Sequence, residues 1–335
     1  MKSNLTAIIK ISLFLFLGIL FGGSLIVYSE SRSGHSVDVS VAESEHAVVV
    51  NGSSDDSNRK YEKLFTVSDG GKVIVDAEAG TIEIKSWERK EVRIVVEVDG
   101  SDSRVNKYTV QFKQEGNTVT VTGKVRDNSF FKWHVGNLDA RYTIFTPKEF
   151  SAEVNTSGGD VDVADLNGKM DIETSGGNIV LENIIGEVIA STSGGDIETT
   201  NITGPVNAET SGGSIRSSSV KGSFDGHTSG GDVVIDRIDG RVKASTSGGN
   251  IRAKIDGENK GIHLETSGGD IDIYLKENIA ADIDAETTGG EVDCDLPVVV
   301  KGKVKESELH GKINGGGESI YAQTSGGSIR IAELK

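Results

Sequence analysis

Thr-Ser-Gly-Gly followed by Asp, Asn or Ser and then Ile or Val starts at Thr156, Thr174, Thr192, Thr210, Thr228 and Thr246, each 18 residues after the last. The motif returns at Thr266, as Thr287-Thr288-Gly289-Gly290, and at Thr324. A fixed period of this length specifies a repeat architecture, in which each unit buries its apolar face only against its neighbours.

Counted from Thr, positions 3 and 4 are Gly and position 6 is Ile or Val in every copy. Position 8 is apolar or small. Position 11 is apolar and position 13 is Gly in the first five copies (Leu166 and Gly168, Ile184 and Gly186). Four and two residues before the next Thr stand apolar residues and small ones, as in Val188 and Ala190. These spacings predict two short strands and two turns per unit, with positions 6, 8, 15 and 17 and the Thr facing inward. The glycines are expected to supply backbone angles that a side chain disfavours. The product is an all-β fold, a right-handed parallel β-helix or β-solenoid with about 18 residues per coil. An antiparallel meander accounts less well for the strict register. The Thr246 and Thr266 units are longer, and their extra residues fall in the second turn. The Thr287 to Thr324 interval is 37 residues, read as two coils with a worn corner at Asn314-Gly315-Gly316-Gly317.

With Gly80-Thr81-Ile82-Glu83-Ile84-Lys85-Ser86-Trp87 upstream and Gly311-Lys312-Ile313-Asn314-Gly315-Gly316-Gly317 downstream, these units resemble the bacterial putative-adhesin β-strand-repeat family, a domain of unknown function. The resemblance spans roughly residues 65–333. It implies an exported or membrane-linked β-helical protein and offers no catalytic residues to transfer.

Residues 1–29 read as a signal peptide or an N-terminal membrane anchor, an apolar helix over Ile11–Val27 preceded by Lys2 and Lys10. The rest of the chain is then expected outside the cytoplasm: periplasmic, extracytoplasmic or at the cell surface. Residues 30–60 are acidic and Ser-rich, as in a flexible stem. Residues 61–150 alternate with period two and form a β-rich first part, in which Asp69-Gly70-Gly71 resembles a degenerate corner. Residues 151–335 form the solenoid proper.

The net charge of −16 argues against nucleic-acid binding. The single cysteine, Cys294, forms no intramolecular disulfide and reads as a small core residue. The Asp, Asn or Ser after Gly-Gly forms a column along one edge. A calcium ladder needs further Gly and Asp positions that are missing, so the column reads as turn capping. The Thr column faces inward, which argues against ice binding. The six histidines show no metal-ligand or triad spacing. No catalytic residue, metal or cofactor is expected, and short turns leave no walled groove for a carbohydrate-active enzyme. Phe130, Phe131, Trp133 and His134 form the densest aromatic cluster, read either as a contact surface or as a cover for one end of the core.

The sequence therefore points to a non-enzymatic envelope protein for adhesion or scaffolding, with a protein or glycan ligand and, if the leader stays uncleaved, the membrane as partner. The alternative is self-assembly through the last strand, Ser328–Ile331, as an open edge. Other candidate surfaces are the outward strand positions and the longer second turns.

Overall fold

The computed structural model describes residues 39–41, 48–51, 58–126, 138–300 and 305–334. The leader and the Phe130, Phe131, Trp133 and His134 cluster lie outside these residues. No described helix is long and apolar enough to cross a membrane. The described chain is all-β apart from one turn of helix at Asp102–Val105. Two long sheets, of 15 and 14 strands, carry it.

Each repeat contributes one strand to each sheet. Met170–Thr174 runs in the second sheet, turns at Ser175-Gly176-Gly177, and returns as Ile179–Ile185 in the first. Neighbouring coils pair in parallel with equivalent residues opposite each other: Ile172 faces Ala190, Thr174 faces Thr192 and Ile179 faces Ile197. The result is a two-sheet β-solenoid. Between the sheets lies a continuous core, to which one coil contributes Ile179, Leu181, Ile184, Val188 and Ala190, each at most 1% exposed. Each large aliphatic side chain so buried contributes roughly 1.5–3 kcal/mol against exposure.

Strand alternation alone cannot bury positions 6, 8 and 11 together, because 11 has the opposite parity. The chain resolves this at position 10. Asp165, Asn183, Asn201, Ser219 and Arg237 all take left-handed backbone angles, with φ between 55° and 63°. The residue is skipped in the ladder, Glu182 pairing with Thr200 and Ile184 with Ile202, so the strand rotates and position 11 turns inward. Asn and Asp tolerate this conformation best, and three of the five residues are of these types.

The expected backbone reason holds at Gly159, Gly186, Gly204 and Gly222, with φ of 113°, 149°, 144° and 159°, and contact between coils adds a second one. A Cβ on Gly195 would stand 2.0 Å from the Gly177 carbonyl oxygen of the coil beneath, whereas one on Gly194 would sit 3.6 Å from its nearest neighbour. Position 4 is glycine because the coils approach too closely there for a side chain. Position 13 repeats the constraint: a Cβ on Gly186 would meet the Gly168 oxygen at 2.0 Å.

At both ends the order of coils in space departs from their order in sequence. Toward the amino terminus, the Gly71–Ala77/Thr81–Trp87 coil lies between Phe150–Thr156/Val161–Ala164 on one side and the later Thr118–Val125/Leu138–Pro147 on the other. Its corner is Glu78-Ala79-Gly80, against which Gly159 packs, and not Asp69-Gly70-Gly71, whose last residue opens the strand Gly71–Ala77. Antiparallel strands, among them Asn58–Thr66 and Glu91–Gly100, extend this end. Val39–Val41 and Val48–Asn51, within the stretch read as a stem, continue the same sheet.

At the other end, the final coil (Ser319–Thr324/Ile329–Glu333, the terminal coil) is inserted between Ile262–Thr266/Ile271–Leu275 and Ala281–Thr287/Val292–Cys294 (the outer coil). Two expectations are corrected by this. Ile329–Glu333 is no open edge, since both of its sides are paired, so self-assembly through it loses its basis. The Thr287 to Thr324 interval is also not two coils. It holds an antiparallel pair, Val298–Val300 with Glu308–Ile313, and Asn314–Gly317 then crosses the outer strand within one sheet, with Asn314, Gly315 and Gly316 at φ of 50°, 89° and 90°.

Candidate functional site

The conspicuous chemistry of the repeat is consumed by the architecture. Every repeat Thr is buried, from under 1% to 6% exposed. Thr192 donates its hydroxyl to the Gly177 carbonyl of the coil beneath (2.9 Å) and accepts from its own Gly195 N–H (3.3 Å). The same pair of bonds recurs at Thr174, Thr210, Thr228, Thr246, Thr266, Thr287 and Thr324. In the Asp/Asn/Ser column each side chain accepts from the backbone N–H of its equivalent one coil on. Asp160 takes the Asn178 N–H at 2.8 Å and Asn178 takes that of Asp196 at 2.9 Å. No group of His, Cys, Asp and Glu suited to a metal ion occurs among the described residues. Cys294 is half-buried, and burial pushes its thiol up from the ordinary value, which disfavours the reactive thiolate.

The outward columns carry the remaining chemistry. On the first sheet, ion pairs link coils, such as Arg216 with Asp196 (3.0 Å) and Arg252 with Asp272 (3.1 Å). Exposed pairs of this kind are worth about 0–1 kcal/mol each. On the second sheet one outward column reads Asp225, Lys243, His263, Tyr321, Asp284 and His310. The next column carries Glu209, His227, Ser245, Glu265, Gln323 and Glu286. All three described histidines lie on this face. His227 meets Ser245 at 2.8 Å, and His310 meets Asp284 at 2.9 Å.

The inserted terminal coil brings Tyr321 beside His263. Their rings stack with centroids 4.6 Å apart and planes at 14°. His263 Nε2 lies 3.1 Å from Glu265, and the Tyr321 hydroxyl donates to Gln323 at 2.7 Å. Beside the stack opens a cavity of about 370 Å³, floored by Val242 and Ile262. It is a depression open to solvent, not an enclosed cavity. It exists because Gly261 and Ser319, each one residue before a core Ile, contribute little or no side chain where Arg241 stands on the preceding coil. This place combines outward strand positions with a longer second turn, both singled out in the sequence. The His263–Tyr321 pairing was not legible there, because 58 residues separate the two and only the coil order joins them.

Stacked, short-cornered coils with their polar repeat residues turned to the backbone define a repeat-built β-solenoid with a displayed outer face. The chain belongs to the Toastrack DUF4097 family, which it matches over residues 71–332. No curated protein matches it. Among solved structures it is similar to a putative adhesin from Bacteroides fragilis, at 14% identity over 82% of this chain and 97% of that one, with a TM-score of 0.38. It is also similar to a putative adhesin from Parabacteroides merdae (14% identity, 82% and 96% covered, TM-score 0.34). A third is a putative lipid binding protein from Parabacteroides distasonis (15%, 82% and 97%, TM-score 0.35). The family assignment rests on the match over residues 71–332 and on none of these likenesses.

Proposed function

We propose that the chain is an exported, non-enzymatic envelope protein that holds a right-handed β-solenoid outside the cytoplasm and binds a surface ligand, protein or glycan, on its outward columns. One observation carries the reading: the inward positions and corners are used up by packing and backbone hydrogen bonds, while charged, aromatic and histidine side chains gather on one outer face. The handedness follows the general preference of parallel crossovers. Export rests on Lys2, Lys10 and the apolar run Ile11–Val27, which serves as a cleaved signal or as a membrane anchor. Acid–base or nucleophilic catalysis has no supporting constellation of side chains among the described residues.

The test has two arms. Protease added to intact cells or spheroplasts should digest the solenoid, and amino-terminal sequencing of the mature protein should find either Met1 or a new start after the apolar run. Protection of the chain inside the cytoplasm sinks the export half. The protein should be retained on a glycan or matrix-protein array without releasing sugars from envelope glycans. Failure on every array sinks the binding half, and measurable sugar release sinks the non-enzymatic reading.

A further inference from the structure

We propose that the cavity beside His263 and Tyr321 binds a carboxylate-bearing sugar unit, of the uronic-acid type, on a glycan. The inference rests on the ligand-binding reading above and names a ligand class for one place on that surface. Arg241 supplies the first argument. Its side chain runs across Gly261, with Nε 3.8 Å and Cγ 3.9 Å from where a Cβ of that glycine would stand. Gly261 has φ of +98°, a conformation that favours glycine, and the Arg241 side chain lies exposed over the sheet. Arg241 has no carboxylate partner among the described residues, although the chain carries a net charge of −16. A guanidinium without a partner at a cavity wall matches a ligand carboxylate through its two-pronged fork. Neighbouring Lys243 is already engaged by Asp225 at 3.5 Å.

The second argument is the opposite wall. His263 and Tyr321 are stacked, and their polar tips are tied to Glu265 and Gln323 in the adjacent column, so ring surface lines the cavity. The carbon-rich edges of the two stacked rings suit the C–H groups of a pyranose. Glu318 and the Ser319 hydroxyl complete the lining. A carboxylate there accepts hydrogen bonds from ligand hydroxyls. One carboxylate together with several hydroxyls satisfies both Arg241 and Glu318, whereas an inorganic anion satisfies Arg241 alone. An extended peptide adding itself as a strand has no place here, because the strands beneath the cavity are paired on both sides. The site is also composite: Arg241 and His263 come from consecutive coils, while Glu318, Ser319 and Tyr321 arrive with the terminal coil.

Titration calorimetry of the full chain with glucuronic acid, glucose, alanine and sodium phosphate tests the proposal. Glucuronic acid should bind saturably and more tightly than the other three. Arg241→Gln should weaken it by at least about tenfold, the loss expected for a charged hydrogen bond, with an unchanged melting temperature. Tyr321→Ala and the cavity-filling Ser319→Phe should weaken it as well, and Tyr321→Phe should not. Equal binding of glucose, alanine or phosphate, no binding of glucuronic acid, or an Arg241→Gln protein that binds normally overturns it. Array retention that survives Arg241→Gln while glucuronic acid binding is absent leaves the broader reading standing and removes this site alone. Glucuronic acid binding without any array retention does the reverse.

Discussion

The Thr324 hydroxyl donates to the Gly269 carbonyl, 55 residues earlier in the chain, across 2.8 Å. Thr287, which precedes Thr324 in sequence, donates to Gly327, 40 residues later, at 2.6 Å. The corner ladder thus records the order of coils in space, and the side-chain column agrees: Asp270 accepts from the Ser328 N–H, and Ser328 from that of Glu291.

Cross-linking should report this order. In a Cys294→Ser background, cysteines replacing Glu265 and Gln323, which face each other, should form a disulfide on oxidation. Cysteines replacing Glu265 and Glu286 should not, because the terminal coil separates them by two strand spacings, roughly 9.6 Å. Non-reducing gel mobility and peptide mass spectrometry read the result, and a disulfide in the second pair alone would show coils stacked in sequence order.

The two glycines of a corner should respond oppositely to a methyl group. Gly195→Ala forces a Cβ to 2.0 Å from a carbonyl oxygen of the coil beneath and should cost about 3 kcal/mol, the upper range of overpacking. Gly194→Ala meets nothing nearer than 3.6 Å and should be neutral or stabilising by up to about 1 kcal/mol through the unfolded chain. Denaturant midpoints at equal m-value separate the outcomes.

Phe224 and Gly226 should behave as a compensating pair. Phe224 fills a core position held by Val in neighbouring coils, and a Cβ on Gly226 would lie 2.6 Å from its ring. Gly226→Ala should therefore destabilise by about 1–3 kcal/mol, and Phe224→Val should recover most of that loss in the double variant. A double-mutant cycle with no coupling would contradict the packing described.

Asp162 should become less unfavourable as acid is added. Burial, then the nearby carboxylates of Asp160 and Glu83, hold its carboxyl above the ordinary aspartate value. A folded-state value above the unfolded one means that the ionised group costs stability at neutral pH and that the cost fades as pH falls through the folded value. Asp162→Asn should raise the melting temperature at pH 7 slightly, and the difference should shrink on acidification. An equal difference at pH 7 and pH 3 would rule the explanation out.

Much of this was legible because strand parity and an 18-residue period act together. They placed Thr192 inside, assigned Ile179, Leu181 and Val188 to the core, and made the Asp160 column a backbone partner. Three things were not legible. The left-handed residue at position 10 leaves only a faint trace in sequence, since Ser219 and Arg237 stand where Asn and Asp are the better signal. The need for Gly195 arises from contact between coils, which no single unit displays. The meeting of His263 and Tyr321 depends on which coil lies beside which, and the repeats are too alike for local pattern to decide.

The middle coils present the same bonds on both sides, so each end of the molecule meets an interchangeable neighbour. Excision or duplication of one 18-residue copy between Thr174 and Thr246 leaves the Thr-to-glycine corner bonds of every junction in place. The length of the solenoid can therefore change in steps of about 4.8 Å while the corner chemistry stays the same.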